Sequence, residues 1–177
     1  MEPKDVEGWM EERHLILLPR LVAALDVAGP VVEVGSWLGR SASALGLACK
    51  ATGRLFITID PWLGGDDRME KYLANMKAVG LELGKDFIFH RMRSKEGWTK
   101  IDTIAMAFVD GNHHYECASL DLKMCLDKIV SGGTVALHDY EHPDFGGPKL
   151  AWDEIITPSP RTLKQERDGL LVWATLT

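Results

Sequence analysis

The stretch Val31-Val32-Glu33-Val34-Gly35-Ser36-Trp37-Leu38-Gly39-Arg40 decides the fold. A short β-branched run stops at a glycine, and a second glycine four residues later opens a segment of helical period, residues 40–52. Such residues suit a buried pleated strand, and glycine permits the tight turn that must follow it. The same grammar recurs downstream. The run 55–59 stops at Asp60-Pro61, 87–89 ends before Arg91, 104–109 stops at Asp110, and 134–137 stops at His138-Asp139. Helical segments are expected between them at 67–79, 95–99 and 115–130, with Leu122, Leu126 and Ile129 facing a sheet. Strands alternating with helices predict an α/β fold, a mostly parallel sheet with helices on both faces.

Both ends of the chain depart from this alternation. Residues 161–166, then Asp168-Gly169, then 170–176 read as a hairpin, so the sheet is expected to end antiparallel. The first thirty residues read as two helices, the second opened by Pro19. The organisation expected is one domain: N-terminal helices over 1–30, a ligand-binding core over 31–140, and a helix with the terminal hairpin over 141–177.

Composition agrees with one globular domain. The chain has 177 residues, 46% hydrophobic and 26% charged, with no repeat or low-complexity tract. A single core serves chains of this length, up to about 250 residues. A net charge of −6 argues against nucleic acid as a partner, because phosphate binding wants a basic field. No apolar run approaches the roughly 18 residues of a membrane span. Cys49, Cys117 and Cys125 form no CxxC pair, and the acidic N-terminus holds no apolar run. These features point to free thiols and a cytoplasmic protein.

Ligands of open α/β sheets bind beyond the carboxyl ends of the strands. The residues that end each run are therefore the site candidates: Glu33 to Gly35, Asp60, residues 91–94, Asp110 and His138-Asp139. Any one aspartate there also reads as a turn or cap residue; three on one sheet edge say more. A dinucleotide-binding turn shows G-x-G-x-x-G, and this chain has Glu33 where the first glycine belongs. A carboxylate there repels a diphosphate and suits a cationic ligand, which disfavours a dinucleotide-dependent oxidoreductase. Asp60, some twenty residues on, stands where acidic residues take a ribose diol.

The pieces E-V-G-S-W-L-G, I-D-P-W-L-G-G-D, V-D-G-N-H-H-Y-E and S-G-G-T-V-A-L-H-D-Y, in that order over residues 31–140, resemble class I S-adenosylmethionine-dependent methyltransferases. The closer likeness is to the small-molecule O-methyltransferases of the cephamycin and macrocin type. The resemblance implies a Rossmann-like sheet of seven strands with the last antiparallel. It implies that Gly35, Ser36 and Gly39 let the backbone approach the methionine part of S-adenosylmethionine, with Glu33 beneath the loop. It places Asp60 on the ribose, Ser94 near adenine with Met92, and Asp110 beside the cofactor. Trp62 has two readings of equal weight, an aromatic against the adenine ring or a loop aromatic packed on a helix.

Asp110 and Asp139 end neighbouring strands, and two converging carboxylates repel unless something positive lies between them. Hard oxygen ligands suit Mg²⁺, and the resembling enzymes hold a divalent ion there. The pattern departs after Asp139, where Tyr140 and then Glu141 follow; Glu141 and His138 are the substitutes for the third ligand, and neither matches the pattern cleanly. The competing reading leaves Asp110 on the cofactor or a turn and Asp139 on a neighbouring loop. His113 is the expected catalytic base beside Asp110, since neutral imidazole takes a proton near neutrality; it also reads as a structural histidine. The acceptor implied is a small molecule, and the reading is compatible with a homo-oligomer. The rival function is a cofactor-binding module without catalysis.

Overall fold

The computed structural model describes the backbone of all 177 residues and every side chain except that of Asp66, so the last residue of the second motif lies outside the described side chains. Seven strands form one sheet: β1 (Val31–Val34), β2 (Phe56–Ile59), β3 (Phe87–His90), β4 (Ile104–Val109), β5 (Ile129–Leu137), β6 (Thr162–Asp168) and β7 (Leu171–Leu176). Their order is 3-2-1-4-5-7-6. The first five run parallel, and β7 joins β5 antiparallel with β6 outside it. The strand order reverses between β1 and β4, which are adjacent and in register, Val34 beside Val109.

Six helices cover the sheet: α1 (Glu12–Ala23), α2 (Arg40–Ala51), α3 (Asp66–Ala78), the short α4 (Ser94–Gly97), α5 (Tyr115–Lys128) and α6 (Gly146–Ile155). The strand period of two divides the core. Val31, Phe56, Met106 and Phe108 pack with Leu18, Val22, Leu45 and Tyr72 of α1 to α3. Val32, Val34, Ala107 and Val109 pack on the other face with Leu122 of α5 and Trp152 of α6. All residues of β1 and β4 are buried, as expected of strands covered on both sides. The same period puts Glu33 on the face of Val31, under α1 and α2.

Three expectations are corrected. The N-terminus holds one helix of length, not two, and Pro19 lies inside it rather than opening a second. An interior proline costs about 3 kcal/mol, but Leu15, Leu18 and Val22 form one buried stripe through it. Burying such side chains is worth about 1.5–3 kcal/mol each, enough to carry the helix past the defect. The helix expected at 115–130 ends at Lys128, and Ile129 opens β5. That strand begins five residues before Thr134, with a register shift opposite Ile104 and Met106. The hairpin stands as expected. Among the described residues, no helix is long and apolar enough to cross a membrane, and all three cysteines are free.

The arm ahead of α1 lies over the start of α2. Arg40 donates to the carbonyls of Lys4 (2.5 Å), Val6 (2.6 Å) and Met10 (2.9 Å). Trp9 of that arm stacks on Trp37 of the glycine loop, centroids 4.2 Å apart.

Candidate active site

The site is built where β1, β2, β4 and β5 end. Glu33 has no exposed surface. Its Oε2 accepts from the Ser36 hydroxyl at 2.6 Å, while the buried Oε1 has no partner among the described residues. Burial pushes its carboxyl up to about 8, against the Ser36 hydrogen bond and the nearby Ser41 hydroxyl. A buried acid that retains its proton to that pH and has an oxygen unpaired suits a cationic ligand group.

Gly35 and Gly39 both have positive φ, 86° and 94°. The close approach at Gly35 is to protein: a Cβ there would stand 2.1 Å from the Asp110 carbonyl oxygen and 2.7 Å from Gly111 Cα. That contact with protein stands beside the approach to a ligand expected of this glycine. It lets β1 and β4 turn away side by side at the switch point, which is what opens the crevice. Gly39 faces Tyr72 and Met76 of α3 in the same way, more loosely.

Asp60 is also tied to the protein. Its Oδ2 accepts from the backbone N–H groups of Ser36 (2.8 Å) and Trp37 (2.9 Å), and its Oδ1 from that of Trp62 (2.6 Å). The carboxylate therefore fastens the glycine loop to the end of β2. Lone-pair capacity remains for a ribose hydroxyl, but the loop is held without one. Of the two readings of Trp62, the structure carries the packed aromatic. It is 2% exposed, packs on Tyr72 and Phe89, and donates Nε1 to the Trp37 carbonyl at 2.7 Å. No open ring face remains for a ligand. Ser94 opens α4, half-buried, and its hydroxyl bonds Asp121 of α5, which also accepts from Trp98 Nε1 at 2.9 Å. Burial pushes the Asp121 carboxyl up to about 6 against those two bonds. Met92 leans on the sheet core.

At the β4 and β5 ends, Asp110, His113 and Asp139 come together, each offering a ligand atom within 4.8 Å of the others. Asp139 adopts φ 57°, the left-handed region that a non-glycine residue rarely takes. Its Oδ2 is 2.8 Å from His113 Nε2, and its Oδ1 is 3.4 Å from His138 Nδ1. His138 Nδ1 is also 3.4 Å from Asp110 Oδ1. Burial of His138 opposes its charged form, but the two aspartates outweigh it and raise its pKa to about 10. Burial likewise opposes the Asp139 carboxylate, yet His113 and His138 hold it well below the usual carboxylate range. His138 is thus the ionisable donor that stands between the two converging aspartates. Glu141 pairs with Arg167 and lies outside the Asp110, His113 and Asp139 group.

His113 stacks on Phe145, centroids 4.1 Å apart and planes 4° off parallel, and Phe145 stacks on His142 beyond it. A cleft of about 800 Å³ opens beside this stack, lined by Asn112, His113, Glu116, Asp144, Phe145 and Leu150 among others. Phe145 carries no sequence signal beyond its place in a loop. His14, of α1, had none at all, yet it is buried against His138.

An α/β sheet in the order 3-2-1-4-5-7-6, with a glycine loop over a buried acid and acidic strand ends, defines the class I methyltransferase architecture. A family model described as a methyltransferase domain matches residues 32–140, more than half of the chain, and the protein belongs to that family, that of S-adenosylmethionine-dependent methyltransferases. A comparison with curated proteins finds no match. Among solved structures, CalS11, a TDP-rhamnose 3'-O-methyltransferase of calicheamicin biosynthesis, is 15% identical with a TM-score of 0.75, over 92% of this chain and 77% of its own. The O-methyltransferase NovP is 21% identical with a TM-score of 0.74, over 93% and 80%. TomG of Streptomyces achromogenes, an O-methyltransferase in complex with S-adenosylmethionine, is 18% identical with a TM-score of 0.75, over 96% and 82%. At these identities the likeness is one of fold.

Proposed function

We propose that this methyltransferase transfers the methyl group of S-adenosylmethionine to a hydroxyl group of a small molecule. The observation that carries the reading is the wholly buried Glu33, with one unpaired oxygen, under a glycine loop that Asp60 fastens in place. That arrangement offers a carboxyl that an ammonium group draws into its ionised form, and no cradle for a diphosphate. When bound, S-adenosylmethionine supplies an electrophilic methyl on a sulfonium, and its transfer to oxygen returns the bonding electrons to sulfur and leaves S-adenosylhomocysteine. Ser36 and Gly39 shape the loop beside it, Asp60 has capacity left for a ribose hydroxyl, and Ser94 with Met92 stands on the adenine side.

His113 takes the hydroxyl proton. Its Nε2 lies 2.8 Å from Asp139 Oδ2, out of line for a hydrogen bond as the ring stands; a small turn of the ring onto Asp139 would put the hydrogen on Nε2 and leave the lone pair on Nδ1, as in other carboxylate-oriented imidazole bases. Phe145 holds the ring plane from one side. The cleft lining combines aromatic faces with Asn112, Glu116 and Asp144, a chemistry suited to a hydroxylated ring. CalS11, by its name, methylates a sugar nucleotide, and a sugar-like acceptor fits the present lining.

A second reading rests on the same cluster. Asp110, Asp139 and His113 lie close enough to hold a divalent ion, which when bound would supply Lewis acidity to the acceptor oxygen. One imidazole among two carboxylates departs from the all-oxygen set that Mg²⁺ prefers, and His138 Nδ1 already lies 3.4 Å from both aspartates. The base reading is therefore favoured. Methyl transfer from labelled S-adenosylmethionine across a panel of hydroxylated acceptors tests both. The expected result is turnover that persists in excess chelator and falls about 100-fold or more in His113→Ala. Turnover lost with chelator and restored by Mg²⁺ or Mn²⁺ would assign His113 to the metal. Tight cofactor binding with no product from any acceptor would make the protein a binding module.

A further inference from the structure

His14 lies on α1, outside every motif of the core, yet its ring has no exposed surface and meets His138 edge-on, centroids 5.5 Å apart at 81°. Its Nε2 is 2.9 Å from the Asp168 carbonyl oxygen in the β6–β7 turn. A carbonyl only accepts, so Nε2 carries the hydrogen. Burial disfavours the charged ring, which leaves Nδ1 as an acceptor. That Nδ1 is buried and has no partner among the described residues. His138 Nε2 is buried and unpartnered in the same way, while its other nitrogen faces Asp110 and Asp139 at 3.4 Å each. Two rings in edge contact thus each hold one unpaired nitrogen, an arrangement that is costly unless the two serve each other.

We propose that His14 is a positioning residue of the active centre: a water-mediated link between its Nδ1 and His138 Nε2 fixes the plane in which His138 faces Asp110 and Asp139. The inference rests on the reading of these strand ends as the reacting centre. The pairing works in either charge state of His138. An imidazolium donates to a water that in turn donates to Nδ1, since the two nitrogens are not in direct hydrogen-bonding geometry. A neutral ring with its hydrogen on Nδ1 leaves two acceptors, which one water joins by donating a hydrogen to each. The line of support runs from the hairpin turn inward. Asp168 is held to Arg13 of α1 by an ion pair at 3.0 Å and presents its carbonyl to His14 one residue along. α1 and the hairpin thereby set the geometry of carboxylates they do not touch.

Long-range ¹H–¹⁵N correlation spectra of the histidine rings provide the test. Wild-type His14 is expected as the neutral tautomer with hydrogen on Nε2. His14→Phe keeps an aromatic edge and most of the volume but removes the acceptor, and it should shift the His138 ring signals; His14→Gln, which keeps an acceptor, should return them toward wild type. In methyl-transfer assays kcat should fall about 3–10-fold in His14→Phe, the worth of one hydrogen bond, with the KM for cofactor unchanged and recovery in His14→Gln. A wild-type His14 protonated on Nδ1 overturns the proposal. So does a folded His14→Phe protein whose melting temperature falls while His138 signals and kcat stay put. If His14→Phe does not fold, the wild-type tautomer and His14→Gln decide the matter. The spectra need no acceptor, so a protein without methyl-transfer activity refutes the reading of the reaction and leaves this one to the ring signals.

Discussion

Replacing Asp60 by alanine removes a carboxylate that accepts three backbone N–H groups, at 2.6, 2.8 and 2.9 Å. Two of the donors, Ser36 and Trp37, are consecutive residues of the glycine loop, and the third, Trp62, follows β2. Hydrogen bonds to a charged group are worth about 1.5–3 kcal/mol each. The simple sum overstates the loss, because Asp60 is only half-buried and water reaches part of what is vacated. An apo-protein destabilisation of about 2–4 kcal/mol is the expected outcome, or a melting temperature lower by roughly 5–15 °C for a chain of this size. Circular dichroism of the ligand-free protein reads this directly, and calorimetry with S-adenosylhomocysteine reads the second consequence, an affinity weakened at least tenfold because the loop must be ordered on binding. Asp60→Asn should fall between, since an amide puts hydrogens where one oxygen accepted. The reasoning fails if the variant melts with the wild type while losing affinity. Asp60 would then be a ribose ligand first, and its three bonds to the loop would be energetically idle.

Two further outcomes are expected. Gly35→Ala forces a Cβ to within 2.1 Å of the Asp110 carbonyl oxygen at a φ of 86°, so β1 and β4 must separate where they turn. The variant should lose apo stability by about 3 kcal/mol or more, and a wild-type melting curve would refute this. Glu33 has a folded-state pKa raised to about 8 from an ordinary 4.5. Between those values the unfolded chain has released a proton that the folded one keeps, so apo stability should decline as pH rises from about 4.5 to about 8 and level off above. Glu33→Gln should flatten that decline. An ammonium ligand favours the ionised form, so S-adenosylhomocysteine affinity should rise toward pH 8 in the wild type and stay flat in the variant.

Much of the fold is legible in the sequence because burial on two faces demands long apolar strands, and these stop visibly at Gly35, Asp60, Asp110 and Asp139. What escapes notice is whatever tertiary contact decides. Pro19 reads as a helix start because a proline suits the first turn, and only the buried stripe of Leu15, Leu18 and Val22 overrules it. Trp62 reads equally as ligand contact or packing, and the choice turns on Tyr72 and Phe89, which lie ten and twenty-seven residues further on. Each side chain's identity says what it can bond; the partner is set by the turn that follows the strand.

The strand-end acids show the same division at the level of function. Spacing places Glu33, Asp60, Asp110 and Asp139 on one edge, and by spacing alone each is a ligand waiting for a substrate. In the structure every one of them has protein partners. Glu33 holds Ser36, Asp60 holds the loop backbone, and Asp110 and Asp139 share His138, with His113 drawn to Asp139. Negative charge gathered in one crevice repels itself unless the protein distributes protons and donors around it. Here burial protonates Glu33, N–H groups surround Asp60, and a histidine stands between the remaining pair. The crevice is therefore organised before any ligand arrives. What is left unpaired within it, one oxygen of Glu33 and one nitrogen each of His113, His138 and the adjoining His14, marks the places where a cation or a supporting hydrogen bond completes the site.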